Sequence, residues 1–387
     1  MKKLIKKLIK FILIEITDLL ASLNLSKNKL ISEKTLLLIR LDAIGDYILF
    51  RNFIEILRKD GTYKDYKITL VGNVLWKNLS EELDRDYIDK FIWIDRKIFE
   101  INPIYRYRKL KEIAKQGYEI VINPTYSRSF FGDDSIIRVV KAKEKIGSIG
   151  DLSNITPNLK KISDKYYTKL IPAKSEIIFE FYRDKEFFEN LLLKTIDIKK
   201  PFIKINSSNS KLKLPKKYAI LFIGASSKWR KWSIKNFVEV GKFLKDRYDY
   251  NIIICGGADE LEEANEFMDF ANYDYIDCVG KTSLIELLLF IKNSNLILSN
   301  ETIVPHIAVA LDKKNIFVIS NGNHYGRFIP YPKEIWPYYF PIFHPEIEKD
   351  LSNYKKLSNS YGFGSNLNIN DITVNKVITT IENNLDH

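Results

Sequence analysis

Cysteine is almost absent: Cys255 and Cys278 are the only two in 387 residues. They cannot build a disulfide framework or a cysteine-rich zinc site. A reducing cytoplasm is the simplest setting. With 16 glycines and 12 prolines the chain is neither collagen-like nor a flexible linker. Acidic residues are the minority charge, 49 against 61 Lys+Arg, which leaves a net +12. Anionic partners are expected: nucleic acid, phospholipid or acidic glycan. Helix-turn-helix, zinc-finger and RNP signatures are missing, which argues against nucleic acid.

Core-forming residues are plentiful: 45% of the chain is hydrophobic and 13% aromatic. That composition supports sizeable cores and excludes global disorder. At ~150 residues per domain, two or three domains are expected.

The first segment, Met1–Leu23, reads MKKLIKKLIKFILIEITDLLASL. Lys2, Lys3, Lys6, Lys7 and Lys10 recur near helical spacing, with Leu4, Ile5, Leu8, Ile9 and Ile12 between them. Glu15 and Asp18 interrupt the apolar run, so it neither spans a bilayer nor reads as a signal peptide. A basic amphipathic helix is expected over residues 1–30, lying on an anionic membrane surface. The alternative is a helix packed on the protein, its lysines solvated.

Downstream, short apolar runs alternate with helical patterns. Strands are expected at Leu36–Leu41, Lys67–Val71, Phe91–Ile94 and Glu119–Ile122, with helices between them. The regularity weakens from about Ser148 to Pro215, apart from an aromatic helix at Glu176–Leu193. The polar stretch 206–216 reads as a linker. A second series then begins: strands Tyr218–Ile223, Asn251–Cys255, Tyr275–Cys278, Asn295–Ser299 and Asn315–Ile319, again separated by helices. Two open α/β domains are expected, over residues 31–205 and 217–350. A loop at Ser352–Asn370 and a terminal helix at Asp371–Asn384 complete the chain, residues 351–387. Ligands on such sheets bind beyond the carboxyl ends of the strands, so the loops there carry the functional information.

Four of these loops stand out. Arg40-Leu41-Asp42-Ala43-Ile44-Gly45-Asp46 follows the first strand: Gly45 permits a tight turn, and Asp46 can accept a proton from a hydroxyl. The plain alternative is that Asp42 or Asp46 is a helix cap. Gly224-Ala225-Ser226-Ser227-Lys228-Trp229-Arg230-Lys231-Trp232 lets backbone amides approach a phosphate while Lys228, Arg230 and Lys231 neutralise it. The plain alternative there is a solvated basic loop with Trp232 packed beneath the helix. Gly280-Lys281-Thr282-Ser283 reads mainly as a helix start, Glu286 completing a capping box. Ser299-Asn300-Glu301-Thr302-Ile303-Val304-Pro305-His306 opens a helix whose free amides favour a diphosphate. By itself His306 reads as a buried structural histidine.

The stretches LLLIRLDAIGDYILFRNFIEILR, YAILFIGASSKWRKWSIKNFVEVGKFL and VGKTSLIELLLFIKNSNLILSNETIVPHIAVAL resemble, in that order, the signatures of the heptosyltransferase family of bacterial glycosyltransferases (family 9). The weaker pieces YEIVINPTYSRS and EKIGSIGD fall in the expected order, and together they span about Leu36 to Pro332. The resemblance implies a GT-B architecture of two facing Rossmann-like domains, the first taking the acceptor and the second a nucleotide-sugar donor. It implies inverting, metal-independent transfer with no cofactor. In the family's pattern Asp46 is the base. Gly224, Ser226, Ser227, Lys231, Thr282, Glu301, Thr302 and His306 fall on the donor side, and Gly45, Ser127 and Arg128 on the acceptor side. An anionic glycan or glycolipid acceptor and a site on the inner face of the cytoplasmic membrane follow. The family's usual Asp-(Ser/Thr)-Gly is Glu301-Thr302-Ile303 here, and its Gly-Pro-Thr segment is Ser320–Arg327. Both departures bear on donor choice, ADP-heptose included. A non-catalytic glycan binder or a sugar-nucleotide epimerase of the same architecture is the competing reading.

Overall fold

Thr35–Arg40 (β1) is buried at every residue, the pattern of a central parallel strand covered on both faces. Around it, in a computed structural model describing residues 2–26, 30–205 and 214–385, five more strands pair in parallel. They are β2 (Lys67–Asn73), β3 (Lys90–Ile94), β4 (Tyr118–Asn123), β5 (Ala142–Ser148) and β6 (Lys169–Ile171). Their order is β3-β2-β1-β4-β5-β6. The second sheet comprises β7 (Tyr218–Phe222), β8 (Asn251–Cys255), β9 (Tyr275–Asp277), β10 (Leu296–Asn300), β11 (Ile316–Ser320) and β12 (Tyr339–Phe343). Its order, β12-β11-β10-β7-β8-β9, repeats the first. Strand order reverses between β1 and β4 in one sheet and between β7 and β10 in the other, and such switch points are where open α/β sheets bind ligands.

The chain forms two compact units, Met1–Ser175 with Tyr182–Asp197, and Glu176–Phe181 with Ile198–His387. Most of the expected linker at 206–216 falls outside the described residues. In the second unit, Leu221, Ile223, Trp232, Phe237, Leu298 and Ile319 share a core with Val377 and Ile381 of the terminal helix Val374–Asn384.

Three strands escape a search for apolar runs. The first half of β5 is solvent-facing and charged, and β6 has three residues. Pro341 lies in β12, where it is tolerated because β12 is the sheet edge. The expected helix after β1 is two helices, Ile44–Phe50 and Asn52–Lys59, meeting at Arg51. The stretch 352–370, expected as loop, contains a helix, Tyr354–Tyr361, capped by Asn353. It buries only Leu357 and Ser358, so its sequence reads as polar.

The N-terminal helix spans Lys2–Ser26. Ile14, Thr17, Asp18 and Ala21 form its inner face, against the helices Pro103–Ile113 and Asp133–Val139. Asp18 pairs with Arg106, and Glu15 with Arg138 at 2.9 Å. Ile12, Leu13, Ile16, Leu19, Leu20 and Leu23 remain exposed on the other side. The helix is therefore packed on the first unit and also presents an apolar outer face. No helix among the described residues is long and apolar enough to cross a membrane.

Candidate functional site

In the first unit the loop after β1 is held from several sides. Asn73 Nδ2 donates to the carbonyls of Leu41 (3.1 Å) and Asp42 (3.3 Å), and Trp76 Nε1 donates to that of Asp42 at 3.1 Å. The Asp42 carboxylate lies 2.8 Å from Arg40 Nε and 3.6 Å from Arg96 Nη1. It caps nothing: the cap residue of the next helix is Ala43, with no side-chain cap bond. Gly45 lies inside the first helical turn rather than in the turn before it, and Asp46 is the acidic residue of that turn, partly exposed.

A buried anchor fixes this helix. Tyr47 stacks on Trp76 at 4.5 Å and donates to Asp84 Oδ2 at 2.6 Å; Arg51 lies 2.8 Å from Asp84 Oδ1. Burial pushes the Asp84 carboxyl above its usual range, although Arg51 opposes the shift. Packing and a closed hydrogen-bond set thus preorganise the position of Asp46.

The other acceptor-side expectations fare differently. Ser127 Oγ donates to Asp151 Oδ2 at 3.1 Å. Arg128 is 1% exposed, lies over the Tyr167 ring and pairs with Asp134 and Asp164. That guanidinium is engaged in holding the loop together. Sequence reasoning missed the buried group behind it. Asn123 Nδ2 donates to Asp133 Oδ2 (2.8 Å), and burial together with the Asp134 carboxylate raises the Asp133 carboxyl. The paired acids Asp133-Asp134, followed by an apolar helix, were the available signal.

In the second unit the loops after β7 and β10 meet at the switch point. Asn300 joins them: its Oδ1 accepts from Trp232 N at 3.0 Å, and its Nδ2 donates to the carbonyls of Ile223 (3.0 Å) and Gly224 (3.3 Å). A Cβ at Gly224 would stand 2.8 Å from Glu260 Cδ, so a side chain there would displace the Glu260 carboxyl. Trp232 is buried under the helix Ile234–Tyr248, its Nε1 donating to Ile372 O.

Two cations of the loop, Arg230 and Lys231, are engaged by acids. Arg230 donates to Ser226 Oγ at 3.0 Å and lies 3.2 Å from Glu301 Oε1. Lys231 Nζ sits 2.5 Å from Glu263 and 3.3 Å from Glu260. Burial raises the Glu301 carboxyl, against the opposing pull of Arg230, and Ser320 Oγ donates to its Oε2 at 3.0 Å. Thr302 stands at the cap of the helix Ile303–Ala310 without a side-chain cap bond. His306 lies inside that helix, its Nδ1 2.8 Å from the Tyr331 hydroxyl; burial depresses it to about 3, so it is neutral. Ser283 caps the helix Leu284–Asn293 in a capping box with Glu286, leaving Thr282 just before the cap. The structure thus gathers Gly224, Ser226, Ser227, Lys231, Glu301 and Thr302 around the β7 and β10 loops, with His306 behind them as a structural residue.

Two parallel sheets of identical strand order, with a Gly-Ser-basic loop at the switch point of the second, are the architecture of the GT-B class. A profile of glycosyltransferase family 9 (heptosyltransferase) matches residues 106–334. The chain belongs to that family. Among solved structures it is similar to a family 9 glycosyl transferase from Veillonella parvula, at 20% identity and TM-score 0.67, covering 93% of this chain and 99% of that one. The E. coli heptosyltransferase WaaC with ADP gives 17% identity and TM-score 0.61, covering 90% and 99%. E. coli ADP-heptose lps heptosyltransferase II gives 15% and 0.62, covering 91% and 98%. At these identities the likeness establishes the fold alone. No curated protein sequence matches the chain significantly.

Proposed function

We propose that this glycosyltransferase inverts the anomeric carbon of heptose or a related sugar, moving it from a nucleoside-diphosphate sugar to a lipopolysaccharide, capsule or other surface-glycan acceptor. The observation that carries the reading is the second unit's switch point. There a Gly-Ala-Ser-Ser loop, the Lys231 and Arg230 cations and a helix start converge on one pair of loops. These are the groups that meet the charge of a diphosphate. WaaC was solved with ADP and with ADP-2-deoxy-2-fluoro heptose, which supports a nucleotide-sugar donor here.

In the proposed step Asp46 takes the proton of the acceptor hydroxyl. The oxygen's electron pair forms the new bond to the anomeric carbon. The bond from that carbon to the diphosphate oxygen breaks, and its electrons leave with the nucleoside diphosphate. Lys231, the Ser226/Ser227 loop and the amides of Ile303 and its neighbours stabilise the leaving charge, so the step runs without a metal. Glu301 and Ile303 stand where the family has Asp and Gly, and the donor is accordingly one other than, or additional to, ADP-heptose.

The enzyme works at the inner face of the cytoplasmic membrane. Five lysines precede an outer helix face on which Leu19 is 49% exposed while Ile14, on the inner face, is 2% exposed. That combination suits the interface of an anionic bilayer. A thermal-shift screen of nucleoside diphosphates and sugar nucleotides tests the core of the reading, because a ligand of the native state raises the midpoint. No shift with any of them, and no transfer of labelled sugar to membrane glycans, overturns it.

A further inference from the structure

A cavity of about 580 Å³ lies in the second unit, lined by three segments. They are residues 226–230 after β7, Asn323 and His324 after β11, and the C-terminal stretch 359–366. The last lies beyond the region matched by the family profile. Arg230 is the one cation among the lining residues, and no acid lines the cavity. Burial, aided by Arg327 and Arg230, depresses His324 to about 4, so it too is uncharged near neutrality. The remaining lining side chains are hydroxyls and amides, together with two rings. Trp229 is 61% exposed and Phe363 55%, so both rings are open to solvent at the cavity.

The three walls are tied together by one buried side chain. Asn321 Nδ2 donates to the carbonyls of Trp229 (3.2 Å) and Leu367 (2.9 Å), and the Asn321 carbonyl accepts from Ser365 Oγ at 2.6 Å. Gly364 turns the third wall at φ +152°, a conformation that side chains rarely adopt. The cavity is therefore preformed.

From this geometry we propose that the C-terminal stretch 359–366, with Trp229 and His324, forms the pocket for an uncharged, hydroxyl-rich sugar ring, the glycosyl group of the donor. Amides and hydroxyls both donate and accept, as sugar hydroxyls require, and the exposed rings offer flat faces to the sugar's C–H surface. The assignment to the donor rests on the proposed function, because the cavity shares Ser226, Ser227 and Arg230 with the diphosphate loop. A site built to hydrogen-bond hydroxyls discriminates strongly against analogues that lack them, so this wall sets which sugar is transferred.

The test uses Phe363→Ala and Asn366→Ala, both at exposed positions whose truncation leaves the core intact. Calorimetry compares ADP with ADP-heptose and UDP with UDP-glucose on the full chain. The expected result is a loss of about three- to tenfold per variant in affinity for the sugar nucleotide that the wild type prefers, with affinity for the parent diphosphate unchanged. Equal losses for both members of a pair would assign the cavity to the nucleotide and overturn the inference. Unchanged sugar-nucleotide affinity with a raised acceptor KM would assign it to the acceptor and overturn it equally. A wild type that binds ADP or UDP but neither sugar nucleotide overturns the assignment of the cavity to the donor sugar, and one that binds none of the four removes the proposed ADP- or UDP-linked donor, an outcome distinct from any variant-specific result.

Discussion

The carboxylate of Asp18 grips Arg106 inside the protein, Oδ1 at 2.6 Å from Nε and Oδ2 at 2.8 Å from Nη2, with both side chains shut off from solvent. Ser135 Oγ adds a hydrogen bond to Asp18 Oδ2 at 2.7 Å, and Arg106 also donates to the carbonyls of Phe99 and Phe131. A buried pair broken on one side leaves an uncompensated charge, at a cost of about 3–5 kcal/mol. Asp18→Asn should therefore lower the unfolding midpoint markedly, and adding Arg106→Met should recover much of the loss. A single variant as stable as the wild type would show that the Asp18–Arg106 pair contributes nothing to the fold.

Because Asp18 belongs to the core, deleting Met1–Leu23 does not test membrane binding cleanly. Substitution of the outer face does. Ile16 and Leu20 are each 48% exposed, so Ile16→Asp with Leu20→Asp should lower the unfolding midpoint only modestly and leave the fold intact. Burying the exposed half of such a side chain is worth about 1 kcal/mol. Co-sedimentation with anionic vesicles should fall about tenfold or more for the pair, and high salt should weaken the wild type through its lysines. Vesicle binding equal to that of the wild type removes the outer face from the interaction. A wild type that ignores vesicles but dimerises would assign that face to a second copy.

The central strands were legible because each carries an unbroken apolar run: β1, β7, β8 and β10 fall within a residue or two of their expected bounds. β5 and β12 were not, since an exposed charged half and an edge proline erase the run that marks a strand. Among site residues, the loops after β1, β7 and β10 announced themselves by glycine, serine and charge. Arg128 did not reveal its burial, because its acidic partners Asp134 and Asp164 become neighbours only through tertiary packing. Asn300 and Asn321 follow serine at the ends of adjacent strands, a repeated Ser-Asn pair that could have identified both staples.

Asp46→Asn keeps the shape of the side chain and removes its basicity. The helix carrying it is anchored by Tyr47, Asp84 and Arg51, so the fold should be unaffected. Transfer should fall by ~10²–10⁴-fold, the range expected for a general base, with nucleoside-diphosphate affinity unaltered. Near-normal turnover would remove Asp46 from the mechanism.

His306 and His324 are held by burial at about 3 and about 4, below the ordinary histidine value of about 6.5. The unfolded chain therefore binds more protons than the folded one across that window. The stability they contribute is complete above about pH 6.5 and is lost as pH falls towards the folded values. The unfolding midpoint should drop between about pH 6.5 and about pH 4, and His306→Gln, which cannot ionise, should flatten part of that drop. An acid limb of the same steepness in the variant would show that His306 is not responsible for it.

Lys231 decides whether the basic loop serves a ligand or only its own neighbours. Burial is the largest single influence on its ammonium and lowers it, yet Glu263 and Glu260 together overrule that and leave it raised. The cation is thus held protonated beside two carboxylates at 2.5 and 3.3 Å. A donor diphosphate would compete with those acids for Nζ. Lys231→Ala should weaken nucleoside-diphosphate binding by about ten- to a hundredfold, the worth of a hydrogen bond to a charged group. Glu263→Gln, which removes a competitor, should preserve or tighten it. Both positions are near the surface, so neither variant should cost more than about 1 kcal/mol of stability. Calorimetric titration with ADP and UDP reads the two effects. If both variants bind as the wild type does, the Lys231–Glu263 pair is a surface ion pair and the diphosphate charge is met by Arg230 and the loop amides.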